Sequence, residues 1–541
     1  MKKKISEMTL REKIGQTGIP DPGTVQKWVR KGGRYDDFFE ANPFGGIYCG
    51  KNMARNEIEY IKTPGELASI LKNVNNKTQM PLLVSCDAEF GAKNLFDELH
   101  EISTLMSLGA SRSKELAYKR SYFWAKELKS CGVNWSFGPV CDLAGSFFLA
   151  GTTRCISDNP EVSLELLPEI IKGIQDAGLA ATAKHFPGAG TDYRDAHISM
   201  AKDETTLEEW NARYRDIWAT AINSGVLSIM TKHAPFLAVD DSYTRGKTYR
   251  PSSASKKVVD IIRKEFGFDG VVITDAVNMK ALFTAFEHDD IYIECFNAGN
   301  DVILFCKDDY IDIMERAVLS GKVSMKRIDE SVERVLKLKE KLGLFETETD
   351  TLPLSEKENK NFEICNYEIA QKAITLISDE NNLIPLNPKK IKNVTIIKIS
   401  PVDSFMDDLN ELKEAFANKG VTATILPNLE SKVKLEELSE SQDLIIYACC
   451  MESTWPPRAP FFSSTEDIQS LFAALSYGAA KSVVVSFGVP SIHYNYFETA
   501  DTYLNAYSRD KGTMYAFVDG LFGEFPFTGI SPIALKPVFA K

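Results

Sequence analysis

The 541-residue chain lacks most of the signatures that assign a protein at a glance. No apolar run approaches the ~18 residues of a membrane-spanning helix, so none of the chain is expected in a bilayer. Base is not in excess: 63 Lys and Arg face 75 Asp and Glu, a formal net charge of −12. Without clustered positive charge, a nucleic acid is excluded as the main partner. The ten cysteines contain no CxxC pair, and there is no HExxH, no GxxxxGKS/T and no GxGxxG after a strand-like run. The common zinc, P-loop and dinucleotide signatures are therefore missing, and no metal or cofactor is expected. Met1 to Leu10 carries three lysines but no apolar segment behind them, so it does not read as a secretory signal. Cysteines inside apolar runs (Cys49, Cys86, Cys141, Cys306, Cys449, Cys450) read as small core residues in a reducing compartment, which makes the cytoplasm the expected location.

What is present is a globular composition, 44% hydrophobic and 26% charged, enough to bury a sizeable core. Short apolar runs alternate with helical patterns, as in β/α units on a parallel sheet. Seven runs stand out: Gly46–Gly50, Leu82–Asp87, Val133–Phe137, Leu179–Lys184, Leu227–Thr231, Val271–Asp275 and Asp301–Phe305. With one unit unseen, they fit an eightfold barrel. Residues 346–365 begin with a polar, Pro-containing stretch and are expected to be a linker. A helix over Tyr367–Ile377 and five further strand-like runs then predict a smaller α/β domain. The expected fold is α/β: a (β/α)8 TIM-like barrel over 1–345, then an α/β sandwich over 366–541.

A barrel's chemistry sits at the carboxyl ends of its strands and on the loops that follow. Lys184 and His185 end one strand, and the Gly/Pro-rich loop behind them carries Asp195 and His197. Two residues apart on an extended loop, the carboxylate can orient the ring and leave one nitrogen for proton transfer; the bland alternative is a solvated turn. Asp275 directly follows an apolar strand, so it is either a working carboxylate at the mouth or a helix N-cap. Asp87 stands in the same position, whereas Asp301 precedes its strand and reads as structural. A metal hydrolase is disfavoured because the first visible strand, Ile47-Tyr-Cys49, has no His-x-His pair.

In this order the residues resemble glycoside hydrolase family 3, in its β-N-acetylglucosaminidase branch. The resemblance runs through Met8 to Gln16, Asp87-Ala-Glu89, Gly138 to Asp142, Arg154 to Asp158, Lys184 to Gly188, Asp195-Ala-His197 and Ile273 to Ala276 with Met279. It continues in Leu336 to Phe345, Leu521 to Glu524 and Gly529 to Ile533. The resemblance implies a retaining enzyme with Asp275 as nucleophile and an Asp195–His197 dyad as general acid/base. It carries sugar binding to Asp87, Arg154, Lys184 and His185, and more weakly to His233. The implied substrate is a terminal β-linked N-acetylglucosamine, as in peptidoglycan or chitin fragments. Phosphorolysis, a β-glucosidase and an inactive sugar-binding relative remain the alternatives. Two positions depart from the family pattern: Ala189 replaces a usual His, and Phe90-Gly-Ala92 and Leu95 replace a segment that usually carries arginines.

Overall fold

The computed structural model describes residues 3–50, 63–78, 80–145, 153–189, 192, 194, 197–346, 352–400, 409–426, 437–438, 440–451, 469 and 481–535. The chain divides into two compact units: Met1–Glu101, Ser121–Asp142 and Leu167–Glu358 form the first, Ile102–Arg120, Leu143–Leu166 and Asn359–Lys541 the second.

The first unit is a ring of eight strands: β1 Gly18–Pro20, β2 Gly46–Tyr48, β3 Leu83–Cys86, β4 Trp135–Ser136, β5 Thr182–Phe186, β6 Ser228–Thr231, β7 Val271–Thr274 and β8 Ile303–Cys306. Parallel ladders join β2-β3-β4, β5-β6-β7 and β8-β1. Parallel bridges Trp135↔Ala180 and Ile273↔Val302 connect these groups, and β1 lies against β2, closing a TIM-like barrel in sequence order. The strand unseen in the sequence is β1. Three residues, Gly-Ile-Pro, are too short and too poor in β-branched side chains to register as a run. It, not Ile47-Tyr-Cys49, is the first strand, and it too has no histidine.

The amino ends of the strands are closed by apolar packing. Val335 and Leu338 of the helix Met325–Lys341, with Leu342 and Leu344 behind it, join Ile19, Leu83, Trp135, Val271 and Val302 in one core. Asp301, at the start of β8, is buried and gripped by Arg263, Arg327 and Arg334, while its carboxylate also accepts the Val272 N–H at 3.0 Å. Its role is structural, as its place before the strand predicts. The carboxyl ends are left for chemistry.

One buried group in this unit costs stability. Lys339 is wholly inaccessible, its ammonium meets only the Gln16 Oε1, at 2.6 Å, among the described residues, and burial pushes it from its ordinary 10.5 down to about 7. Between those values the unfolded chain binds a proton that the folded protein does not. Folding stability therefore rises with pH across this window and is lowest, for this group, below it. Lys339→Met is expected to stabilise the protein at pH 7 by about 2–4 kcal/mol, an advantage that shrinks toward pH 10. Urea unfolding of both proteins at several pH values measures it; a pH-independent difference would contradict the account.

The second unit contains a six-stranded sheet ordered β11-β10-β12-β13-β14-β9, from β9 Thr375–Asp379, β10 Asn393–Ile399, β11 Thr422–Leu426, β12 Leu444–Cys449, β13 Ser482–Ser486 and β14 Thr502–Asn505. All pairs are parallel except β14–β9, and apolar clusters cover both faces. Segments 102–120 and 143–166, which lie inside the stretch expected to be barrel alone, cluster with this unit. Hydrogen bonds far apart in sequence hold them: Thr104 Oγ1 to the Tyr507 carbonyl at 2.9 Å, and the Ala534 N–H to Asp158 at 2.7 Å. The linker expectation over 346–365 also changes. Its residues 347–351 lie outside the described residues, but Glu356–Ala373 is a helix, in place of the one expected over Tyr367–Ile377. Ser355 and Glu358 cap it reciprocally, and Phe362, Cys365, Asn366, Ile369, Ala370 and Ala373 form its buried stripe beneath a polar surface.

Candidate active site

The carboxyl ends of β3 to β7 bring together most of the residues singled out from the sequence. Asp87 follows β3, and its two oxygens accept from the Lys184 ammonium at 2.6 Å and the Tyr48 hydroxyl at 2.7 Å. Lys184, in β5 and almost wholly buried, also meets Glu89 at 2.5 Å. Two carboxylates thus offset one buried cation, and Asp87 remains open to the mouth.

His185, the next residue, places its Nδ1 2.7 Å from the carboxylate of buried Asp142. A carboxylate can only accept, so Nδ1 carries the proton and Nε2 is left for a ligand or a charge. Burial pushes the Asp142 carboxyl up, but the charge and hydrogen bonds of His185, helped by Lys232, more than reverse this and hold it below the usual range.

Asp275 follows β7. Its N–H donates to the Thr231 carbonyl at 2.8 Å, which anchors the residue to the end of β6. The helix ahead, Lys280–Ala285, begins after Met279, so Asp275 is not its N-cap. Among the described residues its carboxylate takes one hydrogen bond, the adjacent Ala276 N–H at 2.7 Å. Burial pushes the carboxyl up; His185, His233 and His197 together outweigh it and keep Asp275 below the ordinary 3.8.

The three histidines do different work. His233 is fully buried, with Nε2–H donating to the Ala276 carbonyl at 3.0 Å and Nδ1 hydrogen-bonded to the Ser253 hydroxyl at 2.8 Å. Burial pushes its pKa down, against the opposing pull of the Asp275 charge. Both ring nitrogens bond to the protein, and through Ala276 His233 braces the turn that carries Asp275. His197 is half-buried, and its carbonyl accepts the Lys280 N–H at 3.0 Å, at the start of the helix beyond Asp275. Its expected partner Asp195 lies outside the described residues. Arg154 is half-buried and falls in the second unit.

Sequence reasoning missed Tyr48 as the second anchor of Asp87, Asp142 as the orienter of His185, and a buried Lys232–Asp203 pair at 2.6 Å. Asp142 lies six residues beyond β4, too far for a strand-end rule to find. Lys232 directly follows β6 and could have been found by that rule. All ten cysteines are buried. Among the described residues no group of His, Cys, Asp and Glu could hold a metal ion, and no helix is long and apolar enough to cross a membrane.

The electrostatics of Asp275 make a testable statement about pH. Since its carboxyl lies below 3.8, it stays ionised at every pH above that value. The acid limb of kcat/KM set by its protonation is expected below pH 3.8. His185→Gln removes the strongest opposing charge, leaves burial less opposed, and should move that limb upward. A pH profile on an activated aryl glycoside reads this directly, and an unmoved limb would remove His185 from the account.

The family model for the glycosyl hydrolase family 3 N-terminal domain matches residues 9–338. The chain belongs to glycosyl hydrolase family 3. It is thus a chain of glycosidase type with a carbohydrate as its substrate class. It is 25% identical over 521 residues to a Cellulomonas fimi protein named beta-N-acetylglucosaminidase/beta-glucosidase, covering 90% of this chain and 89% of that one. In fold, this family 3 chain is similar to a beta-N-acetylglucosaminidase from Paenibacillus sp. str. FPU-7, with a TM-score of 0.84, 24% identity, and 98% and 99% of the two chains covered. It is equally similar to a protein named beta-glucoside phosphorylase BglX, with a TM-score of 0.84, 22% identity, and 98% and 94% covered. These likenesses support the barrel followed by a smaller α/β domain.

Proposed function

We propose that the chain is a retaining β-N-acetylglucosaminidase whose barrel carries the catalytic groups. The observation that carries the reading is Asp275: a carboxylate at the barrel mouth, kept ionised by three histidines, with one hydrogen bond from its own neighbour. Such an oxygen is free to attack the anomeric carbon and form a glycosyl-enzyme. His197, with Asp195 on the same loop, donates the proton to the leaving oxygen, then accepts one from the incoming water. Asp87, Lys184 and His185 supply acceptors and donors for pyranose hydroxyls, and Arg154 is assigned to the same task by the family resemblance. The N-acetyl sugar is favoured because the acid/base is an Asp-x-His loop, the feature of the resemblance specific to that branch. Amino-sugar fragments of peptidoglycan or chitin are the natural substrates on this reading. A reducing cytoplasm suits cysteines buried as small core residues.

A panel of 4-nitrophenyl glycosides tests the reading. The expected result is fastest release from the β-N-acetylglucosaminide, with free sugar as product. Faster cleavage of the β-glucoside would favour the β-glucosidase alternative, and no release from any sugar the inactive relative. The second reading is phosphorolysis, which one feature favours. A neutral imidazole repels an incoming phosphate dianion less than a carboxylate base would, by about 1 kcal/mol or more at an effective dielectric near 20. Against it stand the net charge of −12 and the missing arginines after Glu89. Sugar 1-phosphate as the main product in phosphate buffer would establish it in place of hydrolysis.

A further inference from the structure

The loop that bears His197 leaves β5 at Pro187 and returns to helix at Leu207, and both of its stems end on one buried ammonium. Lys232, directly after β6, donates to the Gly188 carbonyl on the outgoing stem and to the Asp203 carboxylate on the returning stem, the latter at 2.6 Å. The side chains of Lys232 and Asp203 are 8% and 5% exposed, so the bond is shielded from water. Asp203 is fixed in turn: its N–H donates to the Pro235 carbonyl at 3.0 Å and its carbonyl accepts the Leu237 N–H at 3.3 Å.

Neutral donors hold the carbonyls on either side of Gly188. Trp210 and Trp218 both donate to Pro187, and Tyr214 to Ala189, each at 2.8 Å. These donors lie at and beyond the helix to which the loop returns, so they tie the outgoing stem to that helix, and within the loop the Lys202 N–H donates to the Asp192 carboxylate at 2.6 Å. Lys232 adds a buried charged tie from Gly188 on the outgoing stem to Asp203 on the returning one, and it does so from the end of β6, the strand beside β7, which Asp275 follows.

We propose that Lys232 is a positioning residue for the general acid/base, stapling both stems of the 189–202 loop to the end of β6 so that His197 meets the leaving-group oxygen. This rests on the reading of His197 as the acid/base. A proton donor displaced by about 1 Å loses on the order of 10²-fold in rate, whereas attack by Asp275 on an activated glycoside needs no donor. Loosening the staple therefore affects one class of substrate and spares the other.

The test uses the full chain and the sugar that the wild type cleaves best, as an activated dinitrophenyl glycoside and as an unactivated alkyl glycoside. Lys232→Met combined with Asp203→Asn removes the tie together with its carboxylate partner, while His185 still holds Asp142. Asp203→Asn alone keeps the charge of Lys232 near Asp142 and so separates loss of the tie from loss of charge. The expected result is a folded protein that keeps activity on the dinitrophenyl glycoside within about threefold and loses about 10²-fold on the alkyl glycoside. Asp203→Asn alone, which leaves Lys232 on Gly188, should give the same split at smaller size and serves if the double variant fails to fold. Equal losses on both substrates, or no loss on either, overturn the proposal. His197→Ala measured alongside separates the two claims. A split in His197→Ala without one in the Lys232 variant defeats the staple alone, whereas no split in His197→Ala defeats the acid/base assignment beneath it.

Discussion

Asp275→Ala is expected to reduce turnover by several orders of magnitude, about 10³ to 10⁶, while the protein stays folded. The size of the effect follows from its position. Asp275 is anchored through its backbone to Thr231, and its side chain takes one hydrogen bond, from Ala276, so removing the carboxylate deletes a reacting atom and disturbs little packing. The three histidines around it would then lack the charge they stabilise, and no other described carboxylate stands at the end of β7. Two measurements check the assignment. Single-turnover kinetics of the variant should show no glycosyl-enzyme, and a mechanism-based fluoro-sugar should label Asp275 in the wild type. A label on Asp87 or Asp142 instead would transfer the nucleophile to another strand.

The second large effect concerns His197. His197→Ala should lower cleavage of alkyl and saccharide glycosides by about 10² to 10⁴, with a much smaller loss on activated aryl glycosides, because a good leaving group hardly needs a proton. On activated substrates the slow step then becomes attack of water on the glycosyl-enzyme, which has lost its base. Azide, which needs no base, should restore turnover and give a glycosyl azide with the configuration of the substrate retained. Equal loss on all substrates, without azide rescue, would make His197 a binding or structural residue.

Much of this site can be read from the chain itself. Lys184, His185, Asp87 and Asp275 are visible because strands buried on both faces are short apolar runs, and a polar residue that ends or directly follows such a run is carried to the barrel mouth. His197 is visible as a rare residue in a glycine-rich loop behind such a strand. The same rule leaves Asp301 structural, since it precedes its strand, and three arginines do surround it at the closed end.

What escaped the sequence escaped for physical reasons. β1 is three residues of Gly-Ile-Pro, and its place in the barrel comes from pairing with β8, nearly three hundred positions away. The helix Glu356–Ala373 hides its apolar stripe among charges, so composition reads as linker where period reads as helix. His233 and His185 are alike as letters near the end of a strand. Only the partners of their ring nitrogens, Ala276 and Ser253 for one and Asp142 for the other, show that the first braces and the second keeps Nε2 available. The sequence by itself determined the fold class, the family and the identity of the chemical groups, because these follow from local periodicity and from residue types in order. Only the tertiary structure decided which residues orient which, and that Lys232 joins both stems of the loop. Hydrogen bonds and buried charges depend on distances between strands, and no local pattern in the chain encodes those distances.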